Sequence, residues 1–353
     1  MPFFTLALVS SYFYWFKKPY KSCTVNLAVT APYIMNTTLR LALDRTPNTN
    51  HTGFYVAQAK GAYKEAGIDV QFISPDQANY QTAPSRRVAQ SDAELAITPS
   101  ESVISYQTNG TPLVAVATLL ARDISAIMTL KESGIDRPQQ LDGKVYASYG
   151  ARYEEDIIRQ LIQNDAGRGQ FVCHKLPWTN IWRALVTREV DAAWCWLTWE
   201  GVKADIDGVD LNQFLFDEYE IPYGYNPVLT AHRNWIDKNG DVLRRFLEAT
   251  ASGFRFAMKN PDEAARLLIK TANHPTLTNR NFVEQSQQMV SGYYLDGEGQ
   301  WGLMHRNIWM SFLNWLIRNR MLTDSNGEVI QKMDVDKLFT NEFLEGIPAM
   351  MRW

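Results

Sequence analysis

From residue 37 the chain alternates short β-like runs with amphipathic helical stretches. Thr38 to Leu43 alternates polar and apolar positions and predicts a strand. Gly53 to Ala66 reads as a helix interrupted at Gly61 and ended by Gly67, which tolerates a left-handed backbone. Ile68 to Ile73 is the next predicted strand, closed by Ser74-Pro75. Glu94–Ile97 and Leu113–Leu119 follow as strands around a helix from Ser100 to Asn109. Beyond residue 123 the pattern restarts, with strands near 125–130, 144–148, 171–175 and 191–196 and helices near 153–164 and 179–188. Such alternation predicts an α/β protein with parallel-rich sheets and helices on both faces. From 233 to 320 the pattern is almost purely helical, and Ile308, Phe312, Trp315 and Leu316 share one face, as a core stripe would.

Two βαβ blocks and a helical tail allow tandem domains or one domain inserted into another. The strand at Asn226–Ala231 favours insertion, because it can carry the chain back. The boundaries expected are a discontinuous first lobe, 35–122 plus 227–345, and a second lobe, 123–226. A cleft would then lie at the carboxyl ends of the strands.

Residues 1–34 form an atypical extension. The apolar run 3–16 precedes Lys17-Lys18, whereas a secretory signal places its charge first, and the run is too short to span a membrane as a helix. Three readings stay open: an over-extended start with Met35 as the true one, an anchor or unusual export signal, or an ordinary extra element. The first implies an intracellular protein, and the second an exported or membrane-anchored one.

Composition narrows the function. Lys plus Arg number 35 against 38 Asp plus Glu, a net charge of −3 that supplies no basic footprint for nucleic acid. Cys23, Cys173 and Cys195 form no C-x-x-C, and the five histidines lack ligand spacing, so no metal or other cofactor is expected. No nucleophile elbow, P-loop, zinc-protease or dinucleotide fingerprint occurs, and no catalytic residue is assigned. With 11 Trp, 16 Tyr and 16 Phe, some rings have the choice of lining a pocket for a flat ligand instead of filling the core.

Three segments carry chemistry. Asp44 to Gly53 is a polar loop between a strand and a helix, where Asn48, Asn50 and His51 serve equally as ligand contacts or as turn and cap residues. Trp194, Trp196 and Trp199 with Glu200 follow a predicted strand; a carboxylate beside indoles suits an amino-substituted ring, and core packing is the alternative. Ala147 to Glu154, including Tyr149, is a small-residue loop whose amides suit an anion, while Glu154-Glu155 suit a helix's first turn.

The stretches LDRTPNTNHTGFYVAQAKGAYKEAGIDV (43–70), AWCWLTWEG (193–201) and FTNEFL (339–344) resemble the bilobal binding proteins for thiamine pyrimidines, nitrate, sulfonates and taurine. The likeness is strongest to the formyl-aminopyrimidine binders of thiamine salvage and runs from about 39 to 344. It implies a two-lobed periplasmic-binding-protein-like fold (type II) closing on a small heterocycle. It makes the loop around Asn48–His51, the segment at Thr98 and Glu101, and Trp199-Glu200 pocket elements. Arg45 stands where the family usually has Trp, which opens a sulfonate- or taurine-type anion as an alternative ligand. Tyr149, Trp196 and Asn226 complete the expected set, with Glu200 as the main polar anchor. If the chain is exported, the resemblance implies an ABC transporter as partner. The yeast-type thiamine pyrimidine synthases share the fold, but their lysine falls on Thr98, their histidine on Ser102 and their cysteine run on 221–225. Threonine forms no Schiff base, so a binder is expected over the synthase alternative.

Overall fold

The computed structural model describes residues 37–348. The extension 1–34 and its alternatives lie outside the described residues. Among the described residues ten strands form two sheets. The first contains β1 (Thr37–Ala42), β2 (Ile68–Ile73), β3 (Leu95–Thr98), β4 (Leu113–Thr118) and β10 (Val228–His232), ordered β2-β1-β3-β10-β4. The second contains β5 (Ser125–Leu130), β6 (Val145–Ser148), β7 (Val172–Lys175), β8 (Ala192–Trp196) and β9 (Leu211–Leu215), ordered β7-β6-β8-β5-β9. The two orders are the same pattern: three parallel strands, then one antiparallel strand, then an edge.

In each sheet the antiparallel strand is the one that has just crossed from the other sheet. β5 follows β4 and enters the second sheet beside β8; β10 follows β9 and enters the first between β3 and β4. The sheets are therefore mixed, a feature the strand–helix alternation alone does not reveal. β4 and β5 are buried along their whole length; β4 is apolar up to its terminal Thr118, and in β5 the buried hydroxyls of Ser125 and Thr129 are hydrogen-bonded.

Helices cover both faces. α1 (Thr52–Ala59) and α2 (Ala62–Glu65) are split at Gly61, whose φ is +80°, and Gly67 follows at +69°. Both glycines take the left-handed conformation their positions demand. The remaining helices are α3 (Pro84–Ala89), α4 (Ser100–Thr108), α5 (Glu154–Asn164), α6 (Ile181–Val186), α7 (Val202–Asp207), α8 (Arg233–Lys259), α9 (Pro261–Ala272), α10 (Arg280–Ser291) and α11 (Arg306–Arg318). Phe312, Trp315 and Leu316 of α11 are buried in the core around α4 and α5, as their spacing requires.

α1 and α8 cross at two glycines. A methyl added at Gly253 would collide with the backbone carbonyl of Gly53, and one added at Gly53 would enter the Phe254 ring. That contact fixes α1, and with it the loop that precedes α1. No helix among the described residues is long and apolar enough to cross a membrane.

Candidate functional site

The loop leaving β1 and the segment leaving β8 meet at the carboxyl ends of their strands. The meeting point is Arg45. Its guanidinium carbon lies 3.3 Å from the centroid of the Trp196 ring, and Nη1 is 3.6 Å from Oε1 of Glu200. Arg45 is only 7% exposed and Glu200 5%. Residues Leu197–Gly201 form one turn of π-helix, so the Glu200 carboxylate folds back and accepts the Trp196 backbone N–H at 2.9 Å. Such turns are frequent at functional sites. Burial pushes Glu200 upward, and the Arg45 charge resists that shift. Burial likewise lowers Arg45, with Glu200 and Asp44 opposing.

On one side of this pair lies a cleft of about 400 Å³ whose lining includes Asp44, Arg45, Thr98, Tyr149, Trp196 and Asn226. Ser102, Ser105 and Tyr106, on one face of α4, and Arg152 add polar groups. Arg152 donates to Ser105 Oγ at 3.2 Å and to the Thr323 carbonyl at 2.9 Å. On the other side is a cavity of about 350 Å³ that includes Trp199, Glu200, Lys203, Thr276 and Phe282. The Arg45–Glu200 pair thus stands between two spaces.

The expected residues divide accordingly. Arg45, Thr98, Tyr149, Trp196 and Asn226 share the first cleft; Trp199 and Glu200 face the second cavity. Asn48, Asn50 and His51 are buried beneath the loop and shape it. Asn48 Oδ1 accepts the Asn50 N–H at 2.9 Å, the cap chemistry open from sequence. His51 Nε2 is 2.7 Å from Asp44 Oδ1. Glu101, 3% exposed, accepts the Tyr223 hydroxyl at 2.8 Å, and burial, opposed by that bond, raises it to about 7.

The small-residue loop holds an anion of its own. Glu154 accepts the Tyr146 and Ser148 hydroxyls and the amides of Gly150 and Ala151, all within 3.0 Å. Those amides are occupied by the protein's own carboxylate, so the loop meets the cleft through the Tyr149 and Arg152 side chains and the small residues Gly150 and Ala151.

Sequence reasoning passed over Asp44 as a site residue, and also Ser85, Ser105, Tyr106 and Arg152. The spacing 102, 105, 106 on α4 was the available signal for one face of that helix. Asp44 and Arg152 lie in two of the chemistry-bearing segments, but no spacing singles out their side chains there.

Two lobes built on matching mixed sheets, with a polar and aromatic cleft at the strand ends, give this chain a periplasmic-binding-protein-like fold. Residues 48–264 match the NMT1/THI5-like family, and the chain belongs to it. The formylaminopyrimidine-binding protein of Halalkalibacterium halodurans is 25% identical over 283 residues, covering 79% of this chain and 84% of that protein. The riboflavin-binding protein of Chloroflexus aurantiacus is 25% identical over 316 residues, covering 87% of this chain and 86% of that protein. Among solved structures, the alkanesulfonate-binding protein of Xanthomonas axonopodis pv. citri superposes with a TM-score of 0.62 at 12% identity, over 82% of this chain and 96% of that chain.

Proposed function

We propose that this chain binds a thiamine-related aminopyrimidine, of the formyl-aminopyrimidine or hydroxymethylpyrimidine type, between lobes comprising 35–122 with 227–345 and 123–226. The observation that carries the reading is the convergence of Arg45, Thr98, Tyr149, Trp196 and Asn226 on one cleft of about 400 Å³. That volume suits a single substituted ring, and its lining mixes aromatic faces with hydroxyl and amide groups able to orient one. The named relative that binds formylaminopyrimidine supports the same ligand class. Thr98 and Ser102, where the resembling synthases carry lysine and histidine, both line the cleft, and neither side chain forms a Schiff base. Retention of ligand is therefore favoured over its synthesis. Were the protein exported, the partner of this cleft would be an ABC importer.

A second reading, a sulfonate-type anion, is favoured by Arg45 and Arg152 in the same lining. Against it, Arg45 already faces Glu200 and Arg152 already binds Thr323. Calorimetry with 4-amino-5-hydroxymethyl-2-methylpyrimidine, its formylamino counterpart, riboflavin and taurine separates these classes. Binding of either pyrimidine is expected. Taurine binding that is lost in Arg45→Ala would establish the anion reading, and silence toward every pyrimidine would end the first.

A further inference from the structure

The proposed ligand class implies a group to receive its exocyclic amine, and Glu200 is poorly placed for that task. One of its oxygens takes the Trp196 N–H, the other faces Arg45, and the residue lines the cavity beyond the pair. Asp44 is different. Its side chain, 17% exposed, belongs to the cleft lining, and Oδ1 is held at 2.7 Å by His51, which is fully buried.

The proton in that contact can be assigned. Nδ1 of His51 is buried without a hydrogen-bond partner among the described residues. A carboxylate oxygen only accepts, so Nε2 carries a proton and donates it to Asp44 Oδ1 at 2.7 Å. Burial works against the Asp44 carboxylate, yet the His51 bond and the Arg45 charge hold its pKa below the usual range. Asp44 therefore stays ionised, with one oxygen fixed.

We propose that Asp44 is the specificity-determining residue of the cleft, its Oδ2 accepting the exocyclic amino group of the pyrimidine while His51 positions it through Oδ1. The chemistry favours one free oxygen over two. A neutral 4-aminopyrimidine presents an N–H donor beside a ring-nitrogen lone pair, and a second carboxylate oxygen would oppose that lone pair. With Oδ1 taken by His51, Asp44 offers a single acceptor to a single donor. Arg45 adds positive charge next to the carboxylate without competing for the ring's edge, because its guanidinium is stacked on Trp196.

This inference rests on the aminopyrimidine reading, and the test keeps the two apart. Calorimetry compares 4-amino-5-hydroxymethyl-2-methylpyrimidine with the analogue lacking the amino group, on the unmodified protein, Asp44→Asn and Glu200→Gln. The unmodified protein should prefer the amino probe by about 10- to 100-fold, the range of one charge-assisted hydrogen bond. Asp44→Asn should bring the two probes within about threefold, while Glu200→Gln keeps the preference. If neither probe binds the unmodified protein, the ligand class itself fails and the Asp44 role falls with it. If both bind it equally, or Asp44→Asn keeps the preference, Asp44 is not the determinant although the cleft remains a pyrimidine site. Should Asp44→Asn not fold, Asp44→Ser takes its place, and the probe pair on the unmodified protein still decides whether an amino contact exists.

Discussion

The Arg45–Glu200 pair joins the β1 loop to the β8 turn and is buried at both ends, so breaking it should be costly and removing it whole should not. Arg45→Met keeps much of the stem's volume but strands Glu200 with the Trp196 N–H as its remaining polar contact described above. Loss of one partner from a buried pair costs about 3–5 kcal/mol. A desolvated cation over an indole contributes on the order of 2 kcal/mol, part of the same loss and not added to it. Glu200→Gln leaves an acceptor for Trp196 and a charged Arg45 on its ring, so about 1–3 kcal/mol is expected. In the double variant neither charge of the pair is left over, and the methionine still packs on the indole. Its cost should fall short of the summed single costs by about 2 kcal/mol. Urea denaturation, which leaves ion pairs unscreened, measures all four proteins. The pH dependence supplies a second check. Glu200 protonates more readily once Arg45 is gone, so the Arg45→Met deficit should be largest near pH 8 and shrink as pH falls through the raised carboxyl pKa. Single costs that add within about 0.5 kcal/mol would refute the idea that the two charges support one another.

Glu101, raised to about 7 from an ordinary carboxyl value by burial, binds its proton more tightly folded than unfolded. Stability should therefore be fullest below about pH 4.5 for this group and fall by up to about 1.4 kcal/mol per pH unit toward pH 7. Glu101→Gln, which keeps an acceptor for Tyr223, should match the parent at pH 5 and exceed it at pH 8; thermal melts at both values check this, and equal melts at pH 8 would contradict it. Gly253→Ala should destabilise by about 3 kcal/mol or more, since the new methyl meets the Gly53 carbonyl with no flexible atom to yield; a shift under about 1 kcal/mol in urea would show that α1 and α8 separate easily.

Much of the fold was legible because it obeys local rules. β1 to β4 announced themselves by alternation or by apolar runs, and Gly61 and Gly67 broke the first helix where their left-handed conformation occurs. β9 went unseen because Leu211-Asn-Gln-Phe-Leu215 is a short, half-exposed edge strand with a weak pattern. The antiparallel insertion of β5 and β10 depends on where the chain crosses between sheets, which periodicity does not encode. The site was legible in outline only. Arg45, Trp196 and Glu200 could be picked from two loops, but their mutual contact spans about 150 residues of chain and follows from the crossover. Asp44 stood at the edge of a recognised loop, and only the burial of His51 beneath it shows which oxygen is taken.

A small heterocycle is expected in the cleft on the Tyr149 side of the Arg45–Glu200 pair. A crystal structure of the protein with 4-amino-5-hydroxymethyl-2-methylpyrimidine tests it directly. The ring is expected among Asp44, Thr98, Tyr149 and Asn226, with its amino nitrogen about 3 Å from Asp44. A ring lodged instead beside Trp199, Lys203 and Phe282, beyond the pair, would contradict binding in this cleft.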